Sequence, residues 1–552
     1  MKVLSRVAAT HFTLAVLAGA TLFQQVARAD VVTDWNKNGV LAIKGASSDV
    51  SGTAGNALNS NLGTRILAVE HRAIYDAINT ISPIKSGRYY YYRNKALTNR
   101  SQKSASAAAA QAAHDVLVAL IPVTPTSKWS ATAWASTQAW LDAKLASDLA
   151  ALGVTSQDPG IVAGQAAATA AIAARSQDGS TPSTTYFPVL VASPATIINT
   201  PTATISATVS VGAGLWRPTN SAAGDVSAVT GAPTGFVAGV IQPQAGIDYN
   251  WPSVTPFSLS ADQQDAAFGQ IPSKLNIQGA EYRAELSYVL SHGQEISSAT
   301  QRTNDQLLQA LYYKLDAEIF AFETARIASA ARGLDLKKNA QLFALLANAQ
   351  ADGRVVAWAS KYSQSFWRPI DAINYSVLTN PTTDAITSFS WKPLAATPSH
   401  PSNTSGHSTT ISAATQILRS FFRSDLIAPK GETQVLTTLG WLIGTNNGTG
   451  QVDPNVFGGT ATTRSVQTFS DVQLETGRSR VFLGVHFPND DYQGQTLGLT
   501  VADLILTRDY DPASVGVLPF IGRSNVASQR HLENIFIKAT STGNYGWYGL
   551  TN

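Results

Sequence analysis

Cysteine is absent from the 552 residues, and methionine occurs once. The first absence excludes thiolate metal sites, cysteine nucleophiles and disulfides. Charge is sparse as well. Only 14% of residues are charged, the formal net charge is +3, and no basic run stands out. That balance argues against a nucleic-acid partner. After residue 29 no stretch reaches the roughly 18 uninterrupted apolar residues that a membrane-spanning helix needs. No loop has EF-hand spacing, so no calcium site can be assigned. The glycine-rich segment around Gly448 and Gly450 lacks the Lys-Ser/Thr ending of a nucleotide-binding loop. What is present is 44% apolar content, enough for a real core in one large domain or two smaller ones.

Residues 1–29 have the form of a signal peptide. Lys2 and Arg6 make a positive start, Phe12–Leu22 is apolar, and Ala27-Arg28-Ala29 is a small-x-small cleavage site. Export to the periplasm or beyond is therefore expected. Residues 30–176 read as an N-terminal helical region, with helices over Asn59–Ile81, Ala105–Ile121, Trp129–Leu152 and Asp158–Arg175. His71 and His114 fall in these helices with no other site signal and are taken as structural. Residues 177–262 turn rich in Thr, Ser, Pro and Gly, a low-helix insertion or connection. The C-terminal half of Ile197–Val211 alternates like a strand or hairpin. Residues 263–510 return to helical periodicity at Ala280–Ser291, Thr300–Ala331, Lys338–Tyr362, Ser405–Ser424, Glu432–Gly444, Asp471–Val485 and Pro488–Arg508. Tyr375–Pro398 and Gly444–Ser470 are expected as loops, the second near the mouth of a site. Residues 511–552 form a mixed tail. The fold class is all-α.

The densest chemistry lies in Arg478–Asp490. Arg480 stands six residues before His486, and Asp490 four after it. Asp490 and Asp491 precede a mostly apolar run, Leu497–Leu506, which is a helix-start signal. His486 is thus expected on a turn at a helix N-terminus, where free N–H groups and the dipole favour an anion. Lys361 and Arg368 are seven residues apart. That is close to two turns, so on one helix they would point the same way, with Pro369 ending or kinking that helix. Ser405-Gly406-His407 leads into another apolar-periodic helix. Gly406 lets the backbone approach a ligand, and Ser405 offers a hydroxyl.

Together, Lys361…Arg368-Pro369, Ser405-Gly406-His407 and Ser479-Arg480…His486…Asp490 resemble the signature shared by vanadium-dependent haloperoxidases and the type 2 phosphatidic acid phosphatase superfamily. Thr404 stands where that family usually has proline, and the interval from His407 to Ser479 is longer than usual. The resemblance spans about residues 60–510. It implies two packed helical bundles, only the C-terminal one carrying the anion site, with the partly β or irregular insertion between.

The resemblance also implies roles. Lys361, Arg368, Ser405, Gly406 and Arg480 would bind the oxygens of vanadate or phosphate. His486 would be the vanadium ligand, or the nucleophile of a phosphatase, and His407 the general acid–base. Asp490 would orient His486 or cap the helix that follows. The implied activity is oxidation of halide by hydrogen peroxide with orthovanadate as cofactor, and Lys361 would polarise the peroxide. A chain exposed to such oxidants benefits from lacking thiols and thioethers. Trp358 sits where chloroperoxidases of the family carry Trp. His400 sits where bromoperoxidases carry His and chloroperoxidases Phe. The two markers disagree, and bromide or iodide is favoured over chloride. A soluble acid phosphatase working through a phospho-histidine is the alternative. A non-catalytic phosphate- or vanadate-binding protein is a second alternative, and a surface-layer or adhesion protein a more distant one. A surface this low in charge is compatible with a homo-oligomer.

Overall fold

The computed structural model describes residues 30–44, 58–84, 87, 89–121, 131–181, 188–191, 196–199, 214–216, 246–295, 300–378, 391–395, 397–437 and 463–509. The expected signal peptide, the tail, and most of the Ile197–Val211 and Gly444–Ser470 stretches lie outside these residues.

Fourteen α-helices account for most of the described chain. The first five are α1 (Val31–Lys44), α2 (Ser60–Ile81), α3 (Gln102–Leu120), α4 (Ala131–Leu152) and α5 (Pro159–Ala174). Their starts carry the expected chemistry. The side chains of Asn59, Ser101 and Asp158 accept backbone N–H groups at the N-termini of α2, α3 and α5. α3 packs against α1, α2, α4 and α5. Small residues make the α3–α5 contact close: a Cβ on Gly164 would fall 2.7 Å from the Ala108 carbonyl. Periodicity had passed over α1, which buries Trp35, Val40 and Ile43.

The second bundle comprises α6 (Ala261–Gly269), α7 (Ala280–His292), α8 (Asn304–Tyr312), α9 (Ala317–Arg332), α10 (Leu336–Gln364), α11 (Pro369–Leu378), α12 (Gly406–Phe422), α13 (Phe469–Phe482) and α14 (Pro488–Asp509). α10 is buried over most of its length and joins the bundles, packing on α2 and on α12. α12 in turn contacts α9, α13 and α14. Gly494 brings α14 tight against the start of α12, since a Cβ there would lie 2.7 Å from the Ser405 carbonyl. This close approach sets the His486 turn beside Ser405. Among the described residues no helix is long and apolar enough to cross a membrane.

Strands are few. β1 (Pro188–Val191) and β2 (Thr196–Asn199) form an antiparallel hairpin, and β3 (Gln434–Leu436) pairs antiparallel with β4 (Arg464–Val466). β3 corrects the expected helix over Glu432–Gly444, whose residues beyond 437 are not described. Its partner lies far downstream, across the glycine-rich stretch, where a local period cannot see it. β4 and the start of α13 likewise occupy the end of the expected Gly444–Ser470 loop. The expected Thr300–Ala331 helix is two helices, broken between Tyr312 and Ala317. α10 ends at Gln364 because Ser365 turns left-handed (φ 45°). Pro369 therefore does not kink α10. It opens α11, a first-turn position that suits proline, and α11 occupies the start of the expected Tyr375–Pro398 loop.

Described parts of the 177–262 stretch dock on the second bundle. Trp216 N–H donates to the Ser365 carbonyl at 2.7 Å, and Ile247 N–H to the Ser399 carbonyl at 2.9 Å. The backbone N–H groups of Phe257, Ser258 and Leu259 converge on the buried Asp352 carboxylate of α10.

Candidate oxyanion site

Three chain turns meet at the start of α12. Ser405 is its N-cap, accepting the Ser408 N–H at 3.3 Å, and Gly406 and His407 form its first turn. The Ser405 N–H donates to the Asp490 carbonyl at 2.9 Å, which ties this turn to the one before α14. Lys361 comes from the last turn of α10, and Arg368 from the link to α11. The shared-helix reason for pairing these two cations does not hold, yet both reach the same place.

Lys361 and Arg368 have no exposed surface. The Lys361 ammonium donates to the carbonyls of Pro401 and Ser402, each at 3.0 Å. Arg368 donates to the carbonyls of His400 (2.9 Å) and Val485 (2.6 Å), to His486 Nε2 (3.1 Å) and to His400 Nδ1 (2.9 Å). His486 is 2% exposed. Its Nδ1 lies 3.0 Å from Asp490 Oδ2, and a carboxylate accepts only, so Nδ1 carries the proton and Nε2 the lone pair. Asp490 also accepts from the Phe487 N–H at 3.1 Å and from the Ser402 hydroxyl. It therefore orients His486 and caps α14 at once.

Beside them stand His407, Arg480 and Arg354, the two arginines close enough to act on both Lys361 and His407. His407 Nε2 lies 2.9 Å from the Leu315 carbonyl. Nε2 must then be the donor, which leaves Nδ1 as an acceptor. Arg480, 6% exposed, donates to the Lys314 carbonyl at 3.2 Å, and its Nε has no partner. Trp358 and His400 are ring neighbours with centroids 4.9 Å apart. Trp358 Nε1 donates to the Ile247 carbonyl at 3.0 Å, so core packing and site lining are combined in one residue.

The electrostatics follow from this crowding. Burial, then Arg368, holds the Lys361 ammonium well below its ordinary range. Burial, then Arg368 and Lys361, does the same to His486. Burial with Lys361 and Arg368 depresses His400. Burial with Arg480 and Arg354 depresses His407, against the pull of Asp316. All three imidazoles are neutral near pH 7. Burial pushes Asp490 up to about 6, against its Ser402 and Phe487 hydrogen bonds. Among the described residues no ion pair joins Lys361, Arg368 or Arg480 to a carboxylate.

A tetrahedral oxyanion fits this donor set. Lys361, Arg368 and Arg480 are buried with no carboxylate at ion-pair distance among the described residues, and the Nε atoms of Arg480 and Arg354 have no acceptor. At Gly406 a side chain would intrude: a Cβ would come within 3.1 Å of Arg354 Nη1 and of the Trp358 ring. Among the described residues no cluster of three or more His, Asp or Glu side chains could hold a metal cation. Sequence reasoning missed Ser402, Arg354 and the Leu315 carbonyl. Arg354 was detectable, since it stands seven residues before Lys361 on one continuous helix.

Residues 341–511 match the family model described as the VCPO second helical-bundle domain. No curated protein matches by sequence. Among solved structures, the chain is similar to the first bacterial vanadium-dependent iodoperoxidase, with a TM-score of 0.56 at 18% identity over 86% of this chain and 96% of that one. It is similar also to a holo-type bacterial vanadium-dependent chloroperoxidase, with a TM-score of 0.56 at 16% identity over 92% and 98%. The apo-type bacterial vanadium-dependent chloroperoxidase gives a TM-score of 0.51 at 16% identity over 83% and 94%.

Proposed function

Through residues 341–511 the chain belongs to the superfamily of vanadium-dependent haloperoxidases and type 2 phosphatidic acid phosphatases, and on that premise we propose that it is an exported, vanadate-dependent haloperoxidase. Its substrates are hydrogen peroxide and a halide, with bromide or iodide favoured over chloride. The observation that carries this reading is the neutral His486 imidazole, its Nε2 lone pair directed at Arg368, beside buried Lys361 and Arg480, none of these three cations in an ion pair with a carboxylate among the described residues.

His486 Nε2 is the atom that would ligate vanadium. Lys361, Arg368, Arg480, the Ser405 hydroxyl and the Gly406 N–H would hold the oxygens. Bound vanadate would supply Lewis-acid activation of peroxide without a change of oxidation state. Asp490 keeps His486 in the tautomer with Nε2 unprotonated. His407 receives and returns a proton at Nδ1, because Leu315 occupies Nε2. Lys361 presents positive charge toward the peroxide. Trp358 and His400 line the halide side, and His400 is the marker on which bromide or iodide is favoured. The near-absence of sulfur in the chain supports a peroxidase over a phosphatase.

The deciding experiment uses mature protein stripped of phosphate. One portion receives orthovanadate and is assayed with peroxide and each halide. The other, vanadate-free, is assayed on a phosphate monoester. Halide oxidation that requires vanadate is the expected result. Phosphate release without halide oxidation would make His486 a phosphoryl acceptor and overturn the peroxidase reading. Silence in both assays would leave an anion-binding protein.

A further inference from the structure

The three motif blocks account for Lys361, Arg368 and Arg480. We infer that Arg354 is a fourth anion-binding residue of this site, a guanidinium that closes the Gly406 side of the cradle and is held there by an ion-pair chain from the N-terminal bundle. The inference rests on the oxyanion-site reading and is independent of the choice between peroxidase and phosphatase.

Arg354 and Lys361 are seven residues apart on α10, about two turns, so they share the face that meets the start of α12. Arg354 is 2% exposed, and its Nε has no hydrogen-bond partner. Its Nη1 lies 3.1 Å from where a Gly406 Cβ would stand. The guanidinium is therefore packed against the N-terminus of α12, whose free N–H groups favour an anion. Nη2 lies 3.2 Å from Glu318 Oε2. Glu318 is shared, because its Oε1 lies 3.0 Å from the ammonium of Lys44, which also pairs with Asp316. Lys44 is the last residue of α1.

Lys44, Asp316 and Glu318 hold the guanidinium through Nη2, and the Nε–H is left without a protein acceptor. Beside the Gly406 turn, a buried guanidinium N–H without a protein acceptor is available to a ligand oxygen. Glu318 and Asp316 flank the start of α9, directly after the Leu315 carbonyl that anchors His407. The same short segment therefore positions the acid–base imidazole and the extra cation. By this route the N-terminal bundle, which lacks all three motif blocks, contributes to anion affinity.

The test measures binding of inorganic phosphate and of orthovanadate to the mature chain by titration calorimetry, with thermal melts run with and without phosphate. Arg354→Gln is expected to weaken both anions by about 10- to 100-fold, the scale of one lost charge-assisted hydrogen bond. The phosphate-induced rise in Tm should shrink accordingly, and Arg354→Lys should recover part of the affinity. Affinity within twofold of wild type, with Tm lowered equally in both conditions, would make Arg354 a structural brace and overturn the inference. If Arg354→Gln does not fold, Arg354→Lys decides: it keeps the charge but loses the planar fork, and unchanged affinity would overturn the inference. A wild-type chain that binds neither anion would remove the oxyanion site itself, and the inference with it.

Discussion

Two regions of this molecule bury charge, and they do so in opposite ways. Around α2 the buried arginines and Asp76 are matched by carboxylates, carbonyls, amides and N–H groups. Arg65 lies 2.8 Å from Asp178, which Arg175 also pairs. Asp76 collects the N–H groups of Tyr90, Tyr91 and Tyr92. Arg72 donates to Asn348, to Tyr91 and to the Phe257 carbonyl, and His71 meets Asn36 at 2.9 Å. Asn61 Oδ1, His71 Nδ1 and Thr80 Oγ1 lack partners, and Glu70 is the one carboxylate of α2 that does. Both its oxygens lack partners, and burial raises its pKa well above the ordinary carboxyl value. At the start of α12 the buried cations meet carbonyls and imidazoles but little opposite charge. Burial of charge is thus a poor marker of function by itself. A buried excess of one sign is a strong one, because folding leaves it for a ligand to complete.

The contrast can be broken most severely at the histidines. His486→Ala should reduce vanadate-dependent halide oxidation by more than about a thousandfold, whereas His71→Ala should lower Tm and leave kcat within a few-fold of wild type. Steady-state kinetics beside thermal melts would separate them, and a large kcat loss in His71→Ala would defeat the comparison.

Next are the arginines. Arg65→Ala leaves Asp178 with less counter-charge in a buried place and should cost about 3–5 kcal/mol of stability, with phosphate affinity unchanged. Arg368→Ala should weaken phosphate binding by about 2–5 kcal/mol. Relief of like-charge crowding should keep its anion-free Tm close to wild type. Denaturant melts paired with phosphate titrations give both numbers. Equal stability losses in the two variants would erase the distinction.

Asp490→Asn should lower activity by about 10- to 100-fold. A carboxyl raised to about 6 gains its proton as pH falls through that value. Wild-type activity should therefore decline on the acid side near pH 6, as His486 loses its acceptor. A pH–rate profile in which the Asn variant keeps the same acid limb would assign that limb to another group.

The smallest effect is geometric. Gly494→Ala should cost about 1–3 kcal/mol by overpacking against Ser405 and weaken phosphate binding severalfold by displacing the α12 turn. Normal affinity in this variant would show that the helix contact does not set the cradle.

Periodicity read most of the helices but not their breaks. Tyr312 and Ala317 lie in one apolar pattern, yet Asp316 starts a new helix there, committed to Lys44 and Ser60 from the other bundle. Gln434–Leu436 became a strand through a partner about thirty residues away. Lys361 and Arg368 drew notice for helical spacing, although α10 ends between them. The spacing did apply to Arg354 and Lys361, where it was not used. Ser402 is a serine among prolines and polar residues, with no local sign that it reaches Asp490.

The sequence alone determined the helical class, the absence of thiol chemistry, and the residue types and order that name the superfamily. These are properties of composition and short-range spacing. Tertiary structure decided which cations are left without counter-charge, which nitrogen of His486 and of His407 is free, and that α1 reaches Arg354 through Lys44 and Glu318. Those outcomes depend on contacts between segments as many as about three hundred residues apart. They also depend on the withdrawal of water that makes each unmatched charge count.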